Sequence, residues 1–249
     1  MDSLPVETHQ EILRRMHPAM RQTLRLANKY FHDLIKPAYV NFVEFGAEHG
    51  FLKFCKVGLN RGEPRRVVCS LAASRGHLEI LKWAHSNGCP WDSNTCAQAA
   101  SRGHLEVLKW AHYNGCPWDK WTCANAAEHN HLEVLKWAHS NGCPWDRWTC
   151  MNASENGHLE VLEWAISQKC PWDEWTCYYA AENNHLNILE WAHSNGCPWD
   201  EWTCVSAAEN GHLEVLMWAI ENGCPWNYQK ANISSYPPRI QKYLKSLRG

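Results

Sequence analysis

The stretch His131-Leu-Glu-Val-Leu-Lys-Trp-Ala-His-Ser-Asn-Gly-Cys-Pro-Trp-Asp-Arg-Trp-Thr-Cys150 is one copy of a unit that fills most of this 249-residue chain. Its first histidine recurs at a constant spacing of 27 residues, at His77, His104, His131, His158, His185 and His212. All 16 Trp and 12 of the 13 Cys belong to this pattern. A fixed period of this size is typical of proteins whose units stack into an array. The function should therefore lie in what such a stack can do.

Each copy contains the signals of a first helix. Asp146, Asp173 and Asp200 precede Trp-Thr-Cys runs, where an aspartate accepts hydrogen bonds from the free amides of a first helical turn. Small Thr, Cys and Ala residues follow at helical spacing. Gly or Asn then ends the helix, because both residues tolerate a left-handed backbone. The helix-ending residues are Gly103, Asn130, Gly157, Asn184 and Gly211.

A second helix is expected from about His104 to Tyr113, with Val107 and Leu108 on its buried face. Gly115 and Pro117 end it, because proline cannot continue a helix. No strand pattern is present. The predicted fold class is therefore all-α, with one helix–turn–helix unit in each copy.

The unit resembles the ankyrin repeat. Residues 126–135 (Ala-Ala-x-x-Asn-His-Leu-Glu-Val-Leu) stand where that family has Ala-Ala-x-x-Gly-His-x-Glu-Val-Val. Gly142-Cys143 stands for Gly-Ala, and Thr149-Cys150 stands for Thr-Pro. The family period is about 33 residues, and most of the missing residues fall between Gly142 and Thr149, where ankyrin β-hairpin fingers lie. The resemblance implies an ankyrin-like helical-pair solenoid that lacks long β-hairpin fingers.

Arrays with this Cys-Pro-Trp signature resemble those of expanded families in giant DNA viruses and some protists. That resemblance leaves a host-directed role open.

The N-terminal 40 residues do not share the period. The residues that carry a resemblance there are Leu4, Pro5, Glu7, Ile12, Leu13, Pro18, Leu24, Leu26, Lys29, Phe31, Leu34 and Ile35. The segment resembles an F-box, which implies docking to a Skp1-like adaptor of a cullin ubiquitin ligase. Leu4, Pro5, Ile12 and Leu13 are the expected adaptor contacts. The alternative is a short helical cap over the first repeat.

The chain is thus expected to divide into four parts. They are an F-box-like helical segment at 1–40, a connecting helix at 41–46, an ankyrin-like array at 47–234 with degenerate first and last copies, and a C-terminal capping helix at 235–249.

The Cys and His residues allow three interpretations. His112, Cys116 and Cys123 of one copy are metal-ligand types, but Ile166 and Ile220 replace the histidine in later copies. Core packing as small apolar groups is preferred, with zinc binding and disulfides as alternatives. Every candidate Cys–His pair is repeated, whereas catalysis needs one distinct constellation. We therefore expect no enzyme activity, no bound metal and no cofactor.

The segment Met1-Asp-Ser-Leu-Pro5 has no signal-peptide pattern, and no apolar stretch approaches the length of a membrane span. With an odd number of Cys, these features predict reduced thiols in an intracellular protein, in the cytoplasm or nucleus, including those of a host cell. The formal charge of -2 argues against nucleic acid as a partner. We expect a monomer that binds neither nucleic acid nor membrane.

One tryptophan position is the better candidate for exposure. Trp121, Trp148, Trp175 and Trp202 occupy it, but Asn94 replaces them in the first well-matched copy. A core position would tolerate that change poorly. Contact with a partner is the functional interpretation, since Trp dominates interface hot spots. Filling of the core is the alternative.

Two further positions of the first helix differ strongly between copies. One holds Ala124, Met151 and Tyr178, and the next holds Asn125, Asn152 and Tyr179. In ankyrin-type arrays this helix carries partner contacts. Met151, Asn152, Tyr178 and Tyr179 are therefore expected to join the tryptophans in binding a protein on the first-helix face, with Tyr178-Tyr179 as the anchor. Surface drift without function is the alternative.

Charge is graded along the array. Between Ser154 and Asn227 the only Lys or Arg is Lys169, whereas twelve residues are Asp or Glu. Such a field would steer a partner with a basic face toward the late repeats. A solvated face without a partner is the alternative.

These features favour a non-enzymatic protein–protein interaction module that links a bound protein to a Skp1/cullin-type ubiquitin ligase. The alternative is a plain interaction scaffold in which residues 1–40 serve only as an N-terminal cap.

Overall fold

The computed structural model describes residues 42–60, 62, 65, 67–227 and 233–247. Within these ranges every regular element is helical, as the sequence predicts. The first helices of seven successive pairs are α1 (Phe42–His49), α3 (Val68–Ser74), α5 (Ser93–Ser101), α7 (Lys120–Glu128), α9 (Arg147–Glu155), α11 (Glu174–Glu182) and α13 (Glu201–Glu209). The second helices are α2 (Leu52–Asn60), α4 (Leu78–Ser86), α6 (Leu105–Tyr113), α8 (Leu132–Ser140), α10 (Leu159–Ser167), α12 (Leu186–Ser194) and α14 (Leu213–Glu221). A 3-10 turn (Ile233–Ser235) and helix α15 (Pro238–Ser246) follow.

The first helices begin and end as their sequence predicts. Asp146 has an extended backbone, and its Oδ1 accepts a hydrogen bond from the Trp148 amide at 3.1 Å. Asp119, Asp173 and Asp200 cap their helices in the same way. Where the family pattern has glycine after the helix, Asn130 adopts a φ of 61°, the left-handed conformation that lets the chain reverse into the second helix.

Successive pairs share one continuous core. Neighbouring first helices pack closely because their facing residues are small, as with Cys123, Ala126 and Ala127, which are fully buried. Each second helix fills the outer layer with larger residues such as Val134 and Leu135. The core runs without interruption from the first pair to α15. Each pair thus covers apolar surface that its neighbour would otherwise expose to water.

The array begins earlier than the sequence indicates. Helix α1 crosses the boundary drawn between residues 46 and 47, so the expected connecting helix at 41–46 is not a separate element. Helix α1 packs against both α2 and α3, as a first helix should. The start of this copy is hard to recognise from sequence because Phe42 stands where later first helices have the threonine of the Trp-Thr-Cys pattern, as at Thr122 and Thr149.

The last pair is covered by helix α15. Its residues Ile240 and Leu244 are fully buried and belong to the common core. Pro237 lies against the turn at Gly211, close to the place that a histidine of a following repeat would occupy. The helix therefore closes the apolar end that a further repeat would have covered.

Two repeated side chains connect each repeat to the preceding one. The Nε2 of His158 donates to the Glu128 carbonyl at 3.0 Å, and His185 and His212 make the same bond one and two repeats later. The thiol of Cys170 donates to the Asp146 carbonyl at 3.5 Å. The Glu128 carbonyl lies at the end of its helix, where carbonyls lack an intrahelical partner, and the Asp146 carbonyl accepts the thiol in addition to the Thr149 amide. The histidines that precede the second helices therefore have a structural role in joining repeats.

Candidate partner-binding face

The tryptophans fall into two groups with different surroundings. In the first, His112 stacks on Trp118 with ring centroids 3.9 Å apart, and Trp118 meets Trp137 of the next repeat edge-on at 5.8 Å. The same arrangement recurs in other repeats, and these rings are half-buried against the core. We call this group the outer ladder: Trp83, Trp91, Trp110, Trp118, Trp137, Trp145, Trp164, Trp172, Trp191, Trp199, Trp218 and Trp226. Its contacts are with the protein itself, so its role is packing.

The second group lies at the start of the first helices. Trp121, Trp175 and Trp202 are 43%, 40% and 56% exposed, so at these three positions the side chain does not fill the core. Trp148 is half-buried, and its ring lies 5.8 Å from that of Trp121. Exposed large aromatic side chains in neighbouring repeats are unusual, because burying them would be favourable.

Each of these tryptophans begins a row of surface residues. In α11 the row is Trp175, Tyr179 and Glu182, which are four and three residues apart and therefore lie on one side of the helix. We define the first-helix face by the corresponding residues of four helices: Trp121, Asn125, Glu128, Trp148, Asn152, Glu155, Trp175, Tyr179, Glu182, Trp202 and Glu209. None of these is fully buried. The glutamates of this face were not among the predicted contacts. Each lies seven residues after its Trp, which is two helical turns, so this spacing could have predicted that they share a face.

The tyrosine pair in α11 forms an aromatic cluster on this face. Trp175 meets Tyr178 edge-on at 5.2 Å, and Tyr178 meets Tyr179 at 5.1 Å with nearly perpendicular rings. The Tyr178 hydroxyl donates to Glu182 Oε1 at 3.2 Å. Burial raises the pKa of Tyr179, and the carboxylates of Glu155 and Glu182 raise it further. The predicted anchor residues are thus half-exposed, with Glu182 close to both and Glu155 close to Tyr179.

Met151 was predicted to contact a partner, and the structure contradicts this. Its side chain is only 4% exposed, because this position faces the interior of the repeat stack, as Ala97 and Ala124 do in earlier copies. The equivalent Tyr178 reaches the surface because its side chain is longer. Asn152 is half-exposed, and its amide donates to the Ala124 carbonyl of the preceding repeat at 3.3 Å.

At the start of the first helices, ion pairs between neighbouring repeats give way along the array to two carboxylates. At the start of the helices, Lys120 pairs with Asp146 at 2.8 Å and Arg147 pairs with Asp173 at 2.9 Å. One repeat later the corresponding residues are Glu174 and Asp200, two carboxylates. The late repeats therefore leave the first-helix face with an acidic border on this edge.

The same change occurs at the ends of the first helices. Glu48 of α1 pairs with Arg75 of the next repeat at 2.8 Å. The later residues equivalent to Arg75 are Asn156, Asn183 and Asn210, whose amides bond to carbonyls of their own helices. Within the part of the chain that the structure describes, no ion pair neutralises the glutamates that precede them.

The carboxylates of this row, which have no ion-pair partner among the described residues, affect one another. Partial burial raises the pKa of Glu155, and the neighbouring carboxylates of Glu182 and Glu128 raise it further. A carboxylate with a raised pKa is one whose surroundings disfavour its negative charge. A cation placed on this row would remove that cost.

The cysteines are packing residues. All 13 are buried and reduced. A hydrogen bond with Cys170 and burial raise the pKa of the Cys150 thiol, while burial raises that of Cys69 to about 12. Across residues 42–60, 62, 65, 67–227 and 233–247, no group of three or more His, Cys, Asp or Glu residues has the geometry of a metal site. In the same ranges no helix is long and apolar enough to span a membrane.

The predicted adaptor contacts Leu4, Pro5, Ile12 and Leu13 lie outside the described residues.

The helical pairs, the shared core and the exposed first-helix face define a helical-repeat solenoid. Comparison with known proteins refines this class. Residues 69–112 and 123–166 match the family model for ankyrin repeats (many copies). The fold is similar to the crystal structure of the human ASB11 ankyrin repeat domain, with a TM-score of 0.58 and 17% identity over 73% of this chain and 97% of that one. No curated protein matches the sequence. The two matched segments are therefore ankyrin repeats, which indicate a protein–protein interaction module.

Proposed function

We propose that this protein binds a protein partner on the first-helix face of its repeats and performs no chemistry itself. The observation that carries the proposal is the exposure of Trp121, Trp175 and Trp202 on the first helices α7, α11 and α13, beside the Trp175/Tyr178/Tyr179 cluster. Rigid aromatic side chains lose little conformational entropy on binding and contribute much of the energy of protein interfaces.

Affinity capture with the full chain tests this proposal. Immobilised wild-type protein is compared with the triple variant Trp121→Ala/Trp175→Ala/Trp202→Ala, and retained proteins are quantified by mass spectrometry. The control is Tyr113→Ala, which removes a 69% exposed aromatic from second helix α6. We expect at least one retained protein to be lost in the triple variant and kept in the control. Equal retention by all three proteins would contradict the proposal.

A second candidate function, that of a ubiquitin-ligase substrate adaptor, rests on the F-box resemblance of Leu4, Pro5, Ile12 and Leu13. In this function the N-terminal segment recruits a Skp1-like adaptor while the repeats hold the substrate. The test is a pull-down with purified Skp1-like adaptor, comparing wild type with Leu4→Ala/Pro5→Ala. Adaptor binding that the double variant loses supports the ligase role.

The competing scaffold function assigns residues 1–40 to capping alone. It predicts no adaptor binding by either protein and a lower melting temperature for Leu4→Ala/Pro5→Ala, because a cap contributes to the stability of the stack. Measuring the melting temperature of the same two proteins therefore separates the functions.

A further inference from the structure

The late part of the first-helix face combines exposed aromatic rings with carboxylates that have no cationic neighbour. Trp175 and Trp202 lie between the acidic border at Glu174 and Asp200 and the row formed by Glu155 and Glu182. The early repeats lack this combination. There the corresponding positions hold Asn94, Gln98 and Ser101, which are polar and uncharged.

Resting on the proposed function, we infer that the α9–α13 part of the first-helix face holds an extended, arginine-rich segment of the protein partner. A guanidinium group stacks on an aromatic face and donates hydrogen bonds to a carboxylate at the same time, so it matches both features of this surface. An acidic or phosphorylated segment would be repelled, and a purely apolar one would leave the carboxylates desolvated without partners.

The molecule already shows the type of contact that the inference requires. In α7 the Lys120 ammonium lies 5.4 Å from the Trp121 ring centroid while it pairs with Asp146 at 2.8 Å. In α11 the equivalent residue is Glu174, so the corresponding cation is missing beside Trp175. A partner's arginine would supply the same interaction from outside.

The repeat geometry also restricts the arrangement of the arginines. Packed helices lie about 8–10 Å apart. An extended chain advances roughly 3.3 Å per residue. Arginines at every third position would therefore reach successive first helices, and three of them would cover α9, α11 and α13.

Fluorescence anisotropy with a labelled peptide of four Arg-Gly-Ser repeats tests the inference on the full-length protein at low salt. The variant Glu155→Gln/Glu182→Gln removes two carboxylates from the face. The matched control Glu160→Gln/Glu163→Gln removes two exposed carboxylates from second helix α10, so the net charge changes equally. We expect the first variant to weaken peptide binding about tenfold and the control less than about twofold.

The tryptophan contribution has its own readout. Trp175→Ala should also weaken the peptide several-fold, with circular dichroism confirming an intact fold. A peptide in which Glu replaces Arg should not bind. Absence of binding by the arginine peptide, or equal loss in both charge variants, overturns the inference.

Failure of the inference can be told apart from failure of the proposed function. In one outcome, a captured protein depends on the three tryptophans but is retained equally by Glu155→Gln/Glu182→Gln. That outcome would support the proposed function and contradict the arginine-rich segment. A second copy of this chain is the competing occupant, because its early repeats carry Arg65, Arg75 and Arg102. Salt-sensitive oligomers in sedimentation, lost in Glu155→Gln/Glu182→Gln, would assign the face to self-association and overturn the inference.

Discussion

The two tryptophan groups show how one residue type takes two roles within a repeat. Outer-ladder tryptophans such as Trp118 and Trp137 are the same in every well-matched copy and contact each other across repeats. The first-helix tryptophans are replaced by Asn94 in one copy and are up to 56% exposed. A position that must fit both neighbours in the stack cannot change alone, whereas a position facing solvent can. For the tryptophans, variation between copies therefore separates the packing position from the surface position.

The largest expected effect is the difference in thiol reactivity between native and denatured protein, because the cysteines are buried at positions that repeat from copy to copy. Burial raises the pKa of the Cys69 thiol to about 12, so at pH 8 it holds on the order of a thousandfold less thiolate than an unfolded chain. We expect native protein to react with a thiol reagent at least about a hundredfold more slowly than denatured protein. Several fast-reacting thiols in the native state would show that the cysteines are accessible to solvent and are not packed in the core.

Alanine substitution in each tryptophan group tests the contrast directly. Trp137→Ala removes a half-buried ring that packs on Trp118 and His112, and should lower the free energy of unfolding by about 2–3 kcal/mol, below the value for a fully buried Trp. Trp175→Ala should cost less than about 1 kcal/mol, because the ring is already 40% exposed. Chemical denaturation measures both. Similar losses would mean that the two groups share a packing role.

A smaller effect is expected at the regular histidine position. His158→Ala removes the hydrogen bond to the Glu128 carbonyl and should lower the free energy of unfolding by about 1 kcal/mol. His129, at a variable and exposed position, is the matched control, and His129→Ala should change it by less than about 0.5 kcal/mol. An equal effect of both substitutions in thermal denaturation would show that the inter-repeat bond contributes nothing specific.

The smallest effect is expected at the residue that ends the turn after the second helix. This residue is glycine in the other well-matched copies and lysine in one. Lys169 has a φ of 65° where the equivalent Gly196 has 82°. A side chain costs roughly 1–2 kcal/mol in this conformation, while glycine loses more entropy on folding. Lys169→Gly should therefore stabilise the protein by roughly 0.5 kcal/mol, and Gly196→Lys should destabilise it by a similar amount. Unchanged melting temperatures for both would mean that the late repeats relax around the larger residue.

Repetition made most of the fold predictable. The aspartate caps, the left-handed turn at Asn130 and the buried Val-Leu pairs of the second helices follow from local signals that recur many times. Helix α1 was placed incorrectly because its copy lacks those signals. Met151 was assigned to the surface because variation was taken as a sign of exposure, yet its side chain fits inside the stack, whereas the longer Tyr178 at that position reaches the surface.

The sequence alone determined the repeat, its two helices, the charge gradient and the likeness to ankyrin repeats, because each depends on residues close together in one copy. Only the tertiary structure decided which charges are neutralised. Glu48 meets Arg75, and Lys120 meets Asp146, across repeat boundaries of about one period. Those pairings, and the absence of their equivalents beside Trp175 in the described residues, depend on how neighbouring repeats stack, since ion pairs act over only a few ångströms.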